Sequence, residues 1–255
     1  MLLLILLCAE YIVLGRYLKG FATLTVGAAL ILLTVHPETA FMGCAGVGLY
    51  FFLRLLSEKR SARPLWKPVA AAGGAWALAL LICAPQILPF FEYLQHSNIA
   101  VTSYEHTISK HSGLPVPTLV CLFVPRFFGI SAEGNFWLDE ADNSNTTAFL
   151  YIGAVAWAAL ALLFAPGRLS SRMRSRVIAL AVPAGLGLFL ALRAQPIEAL
   201  GRLPVWQYWY ATFTLFALPL LGAFGAEHWL SVKRTFRDTA IPVTVLSVPF
   251  ALAVG

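Results

Sequence analysis

The chain is written in long apolar blocks separated by polar connectors, and the length of those blocks restricts the fold more than any other feature. The blocks run Met1 to Leu18, Phe21 to Val35, Ala40 to Leu56, Val69 to Phe91, Ala148 to Ala165, Val177 to Leu192, Ala211 to Leu230 and Thr239 to Gly255. A helix needs roughly 20 apolar residues to cross hydrocarbon, within a range of about 17 to 25. Inside lipid every backbone amide must be paired within its own segment, so blocks without strand-like alternation are expected to be helices. The expected fold is all-α, a polytopic transmembrane helical bundle of about eight spans forming a single membrane domain over residues 1–255. The second and sixth blocks are short, which snorkelling by Lys19 and Arg193 or a thinned bilayer accommodates.

Charge gives an independent check on this partition. Charged residues make up only 12% of the chain against 59% hydrophobic ones, whereas a soluble domain carries about 25% charged residues. Fourteen of the 18 Lys and Arg residues fall on alternate connectors, in the runs SEKRSARPLWKP, GRLSSRMRSR and SVKRTFRD and at Arg16, Lys19 and Arg54; Lys110, Arg126, Arg193 and Arg202 lie on the others. Positive residues remain cytoplasmic during insertion, so the basic connectors face the cytoplasm and HPET, the long central loop and the loop after Leu192 face outward. The net charge of +6 is explained by those connectors, and no nucleic-acid partner is expected. The chain ends within the apolar run ALAVG, which leads to the expectation of a fragment.

The central outward loop, about 92–147, is far longer than the usual connection of about 4 to 6 residues, and loops of that size tend to be functional. Its segment SGLPVPTLVCLFVPRFFG has an apolar centre too short to cross and bracketed by Pro115, Pro117 and Pro125. That pattern predicts an interfacial helix.

Several outward residues are of types that carry chemistry. His36 and Glu38, two apart in a short connection, could bind phosphate or accept a proton; the alternative is a solvated turn with Pro37 as helix breaker. Glu92 and His96 share a helix face if the fourth span continues outward, either as substrate contacts or as a helix-end ion pair. Arg126 and Arg202 could grip phosphate oxygens bidentately or merely touch lipid head groups. Trp137, with Phe136 and the run Trp206 to Tyr210, could stack on sugar rings or form an interfacial belt. Glu133, Asp139, Glu140 and Asp142 could hold a divalent cation or form a solvated acidic face. Glu10 stands alone in an apolar block with no evident partner, a costly placement that marks a possible functional site. Glu227 and His228 lie near basic residues at a helix end and read as structural. Cys8, Cys44, Cys83 and Cys121 form no CxxC pair or zinc spacing and read as packing residues. The sequence has no phosphate-binding glycine loop, HExxH, GxSxG or nucleotide fingerprint, and no internal repeat.

The order of AEYIVLGRYLKG, HPETAF, APQILPFFEYLQHS, LPVPTLVCLFVPRFFG followed by an acidic Trp-containing stretch, LYIGAVAWAALALLF and ALPLLGAFGAEHWL resembles the YfhO-like bacterial membrane proteins, of the GT-C type of polytopic glycosyltransferase. The resemblance covers most of the chain. It implies a multi-pass enzyme of the bacterial cytoplasmic membrane that moves a sugar from a polyprenyl-phosphate carrier to an envelope glycan or teichoic acid acceptor, among membrane lipids; the divalent cation that the acidic residues could hold is the one cofactor the residues suggest. In that family the catalytic carboxylate lies in a first outward loop, which would precede Met1. His36 and Glu38 are left as this chain's own candidates, with Arg126 and Arg202 in the cationic role. Where relatives are expected to carry arginines before the seventh span, this chain reads WQYWYATF. The alternatives are a transporter or flippase for envelope lipids, which Glu10 and the prolines Pro85 and Pro89 would suit, and a noncatalytic assembly subunit.

Overall fold

The computed structural model describes residues 2–34, 37–58, 64–96, 114–129, 133, 150–164, 168–192 and 211–231. Among these, the regular structure is helical: α1 (Leu2–Val13), α2 (Tyr17–Thr34), α3 (Pro37–Glu58), α4 (Trp66–His96), a 3₁₀ helix (Val116–Leu122), α5 (Ala154–Ala161), α6 (Ser171–Ala191) and α7 (Ala211–Ser231). No strand occurs in the described residues beyond a single bridge between Leu114 and Leu192. Four helical stretches are long and apolar enough to cross a membrane: Phe41–Glu58, Trp66–Tyr93, Ser171–Ala191 and Ala211–Ser231. Along α4 the large side chains Leu78, Leu80, Leu81, Ile82 and Leu88 are exposed. An apolar face of that extent belongs in lipid, and the protein is a helical membrane protein. The expected eighth span, Thr239 to Gly255, lies outside the described residues.

Several boundaries differ from the sequence expectation, three of them for an evident local reason. The first block does not run to Leu18. Gly15 adopts φ 83°, and the N–H groups of Leu14, Gly15 and Arg16 are taken by the carbonyls of Glu10, Ile12 and Tyr11, a glycine-terminated helix end. α1 therefore has 12 residues, about 18 Å of rise, and folds back into α2 as a hairpin. The fifth block begins late, at Ala154, because Gly153 stands at φ 93° and the Tyr151 hydroxyl accepts the N–H of Ala154 at 2.9 Å. The sixth begins early: Ser170 caps α6 by accepting the N–H of Met173 at 3.3 Å, and the helix carries Arg172, Arg174 and Arg176 before its apolar part. Its 21 residues rise about 31 Å, so no thinned bilayer is needed there.

The helices pack in a row. α4 lies on α2, α2 on α1, α1 on α3, α3 on α6 and α7, and α5 on α7. Close approaches occur where glycine removes a side chain: a Cβ on Gly43 would strike Leu2 and one on Gly46 would strike Phe213, so α1 and α7 lie directly against α3. The main core joins Ile5, Cys8, Ala9 and Ile12 of α1 to Val47 and Tyr50 of α3, Leu180 and Ala184 of α6, and Phe213, Ala217 and Leu221 of α7.

The pairings also fix which ends lie together. Glu10 meets Tyr50 and Arg54, and Arg54 meets Ser175. Thr25 of α2 reaches the carbonyl of Ala75 in α4, making those two helices parallel. Arg16, Lys19, Arg54, Lys67, Arg168, Arg172, Arg174 and Arg176 consequently gather at one end. At the opposite end Arg126 is the sole Lys or Arg among the described residues.

Candidate functional site

At the end opposite the basic one, the segment 114–129 is seated on the helices. Pro115 and Pro117 stand at the N-cap and in the first turn, where proline is tolerated, and the expected interfacial helix is the seven-residue 3₁₀ turn Val116–Leu122. The Thr118 hydroxyl donates to the Pro115 carbonyl at 2.6 Å. The segment is docked as well as surface-lying: Leu114, Cys121, Leu122 and Phe128 are buried with Met42 of α3, Ala191 of α6 and Ala211 of α7. Leu114 N–H donates to the carbonyl of Ala191 at 2.7 Å. From α5, Trp157 Nε1 donates to the Leu122 carbonyl at 2.6 Å, and its ring stacks on Phe123 with centroids 4.3 Å apart.

The docking positions one cation. Arg126 is exposed on the turn between buried Leu122 and buried Phe128, at φ 59°, with its carbonyl accepting the N–H of Gly129 at 2.7 Å. For a side chain larger than glycine's that conformation costs about 1–2 kcal/mol, and it persists only when surrounding contacts over-determine it. Beneath the turn, Cys121 Sγ accepts the backbone N–H groups of Phe127 and Phe128, while burial pushes the thiol's pKa up. A Trp157→Phe change keeps the stacking and removes the donor, at a cost of about 0.5–1.5 kcal/mol. Amide exchange at Phe123 and Val124 should then quicken by up to roughly tenfold, with α1 to α3 unchanged; unaltered exchange would show that α5 does not hold the segment.

The other sequence candidates fare differently. Glu38 belongs to the first turn of α3, one turn before Met42, which packs with Leu122 and Phe128; it therefore shares an end with Arg126. Glu92 and His96 lie four apart on α4, which runs through His96. Both are exposed, and no ion pair joins them to each other or to another described residue. No described contact brings them to Arg126, because α4 packs on α2 and α1 and segment 114–129 on the far side of the row. His36, Trp137, Arg202, Phe136, Asp139, Glu140, Asp142 and the Trp206 to Tyr210 run lie outside the described residues. Glu133 is exposed. Among the described residues no three His, Cys, Asp or Glu side chains are grouped to hold a metal ion.

The strongest polar assembly is one that sequence reasoning missed. Glu10 is not alone. Its Oε1 accepts from the Tyr50 hydroxyl and Arg54 Nε, each at 2.6 Å, and its Oε2 from Arg54 Nη2 at 3.4 Å and Arg176 Nε at 3.2 Å. Arg54, with no exposed side-chain surface, further donates through Nη1 to Ser175 Oγ at 2.7 Å and Ser57 Oγ at 3.2 Å, and through Nη2 to Glu58 at 3.3 Å. All five guanidinium donors thus have an acceptor. Two carboxylates balance two guanidiniums, and α1, α3 and α6 are tied together where a lone charge would be costly. A usable signal was present: Glu10, Arg54 and Arg176 each lie near the basic end of their block, so charge asymmetry alone puts them at one depth. At the same end, buried His228 and its neighbour Trp229 leave Nε2 and Nε1 without a hydrogen-bond partner among the described residues.

Comparison with family models, with curated proteins and with solved structures gives no match.

Proposed function

We propose that the chain belongs to the YfhO-like glycosyltransferases of the GT-C type, with eight spans in the bacterial cytoplasmic membrane and its basic end in the cytoplasm. It moves a sugar from a polyprenyl-phosphate carrier to an envelope glycan or teichoic acid on the outer face. The observation that carries this reading is Arg126, an exposed guanidinium held in a left-handed turn at the end opposite the basic residues. A cation fixed by a docked turn suits a substrate whose leaving group is an anionic lipid phosphate.

In the proposed step a base removes the proton of the acceptor hydroxyl, and that oxygen attacks the anomeric carbon. The bond from this carbon to the phosphate oxygen breaks with inversion, and the lipid phosphate departs with its electron pair. Arg126 stabilises the departing phosphate by charge-assisted hydrogen bonds, with Arg202 as a second cation. His36 and Glu38 are the candidates for handling the proton and Trp137 for contacting the sugar; Glu92 and His96, on a helix away from Arg126, take no part in this step. The transporter reading drew on Glu10 and on Pro85 and Pro89; the Glu10 oxygens are engaged by Arg54, Tyr50 and Arg176, and both prolines lie inside α4.

Arg126→Gly separates this role from stability. Glycine accepts φ 59° without steric penalty, so the variant should be more stable than Arg126→Ala by about 1 kcal/mol and yet transfer no sugar. The check is transfer from polyprenyl-phosphate sugar by the purified full-length protein beside a melting curve. Transfer at the wild-type rate in Arg126→Gly would remove Arg126 from the mechanism.

A further inference from the structure

The outer face of segment 114–129 is apolar except at one point. Its exposed residues are Val116, Pro117, Phe123, Pro125, Arg126 and Phe127, so every exposed side chain but that of Arg126 is hydrocarbon. Val116 and Phe127, 49% and 44% exposed, are the most open of the large ones. The rings are held in place: Phe123 lies flat against Trp157, and Phe127 stands edge-on to buried Phe128 with centroids 5.1 Å apart. Thr118 does not face water; it is buried, with its hydroxyl bonded to the Pro115 carbonyl. The backbone is equally self-contained. Pro115, Pro117 and Pro125 have no N–H, and the amides of Thr118, Phe123, Val124 and Gly129 bond to carbonyls within the segment. A loop in water is under no such constraint, whereas one in contact with lipid must satisfy its amides internally.

The depth of this face follows from where the spans stop. At the Arg126 end, the stretches of α3, α6 and α7 long and apolar enough to cross a membrane end at Phe41, Ala191 and Ala211. Leu114, Leu122 and Phe128 are buried in one cluster with Met42, Ala191 and Ala211, and the Leu114 amide bonds the Ala191 carbonyl. The segment is therefore level with the edge of the hydrocarbon. Amphipathic segments at that level rest their apolar side chains about 5–10 Å into the boundary between head groups and acyl chains, and a long cationic side chain reaches from there to the phosphates. A protein partner would be recognised through charges and hydrogen bonds, of which the exposed side chains supply only those of Arg126. A phospholipid leaflet requires an apolar surface at this depth with a cation beside its phosphates, and both are present.

We propose that segment 114–129 is an interfacial anchor inserted into the phospholipid leaflet at its own end of the spans, with Val116, Phe123 and Phe127 among the upper parts of the acyl chains and Arg126 at the lipid phosphates. The anchor is independent of the transferase reading, and its test measures no transfer.

The test is site-directed spin labelling of the full-length protein in phosphatidylcholine vesicles. Nitroxides on Val116→Cys and Phe127→Cys should collide with dissolved oxygen in preference to a water-soluble nickel chelate, to the same degree as a label on Leu81→Cys, which is exposed on α4, and unlike one on Arg168→Cys, which is exposed at the basic end. The spectrum of wild type treated with the label is subtracted to remove any signal from the native cysteines, three of which are buried. An oxygen-to-nickel ratio equal to that of Arg168→Cys puts the face in water and overturns the proposal. Weak collision with both reagents puts it beneath another protein surface and overturns it as well. A second measurement needs no cysteine: Phe127→Trp should add emission that phosphatidylcholine brominated near the head-group end of its acyl chains quenches and aqueous iodide does not. Added emission that the brominated lipid fails to quench overturns the anchor.

Discussion

Arg54→Ala is expected to destabilise the folded protein by about 3–5 kcal/mol, the range for removing one partner of a buried ion pair. The reason is the completeness of the arrangement: Arg54 has no exposed side-chain surface and supplies donors to Glu10, Glu58, Ser57 and Ser175. Truncation takes donors from two carboxylates and two hydroxyls where α1, α3 and α6 meet. Arg54→Lys should also fail, because an ammonium cannot reproduce the fork of five donors. A cycle with Glu10→Gln should show coupling of about 0.5–3 kcal/mol, measured by denaturant unfolding in detergent. The loss should depend little on salt, since buried charges are weakly screened. Stability of Arg54→Ala within about 0.5 kcal/mol of wild type, the usual span for surface changes, would mean that the cluster does not hold the helices together.

Gly225→Val should be the second severe change. A Cβ at Gly225 would fall on the carbonyl oxygen of Ala159, and one at Gly222 would lie 2.8 Å from the carbonyl of Ala156. Both obstacles are backbone, which no rotamer change relieves, so α5 must move away from α7. Overpacking of this kind costs about 1–3 kcal/mol or more. Gly185→Ala provides the contrast within α6: its Cβ meets nothing within 4 Å, and restricting the unfolded chain should gain about 0.4–1 kcal/mol. Thermal unfolding of the two variants side by side checks the pair. Equal behaviour would contradict the close α5–α7 packing.

The positions of these effects show what a linear reading can reach. Hydropathy located α3, α4, α6 and α7 because a span's length is a property of consecutive residues. It ran through Gly15 because a left-handed glycine changes direction without changing hydrophobicity. It began α6 late because Arg172, Arg174 and Arg176 resemble a loop, although Ser170 was available as a cap and long cationic side chains reach solvent from a helix end. Pro115, Pro117 and Pro125 bracketed the turn in the sequence, but its 3₁₀ form was not legible from apolar content. The Glu10 cluster joins residues 44 and 166 positions apart, beyond any local period, yet its members share the basic end that charge asymmetry had already marked. At the candidate site, the identity of Arg126 was legible and its left-handed backbone was not, since that conformation comes from burying Leu122 and Phe128 on either side. Glu92 and His96 were rightly placed on one helix face, but their separation from Arg126 depends on the order in which the helices pack.

The two ends of the molecule carry the whole functional reading, so their placement across the membrane is the decisive quantity. Membrane-impermeant maleimide applied to intact cells should label an Arg126→Cys variant and leave Arg174→Cys unlabelled until the cytoplasm is opened. Labelling of Arg174→Cys from outside, with Arg126→Cys protected, would invert the protein and contradict an outward-facing transfer site.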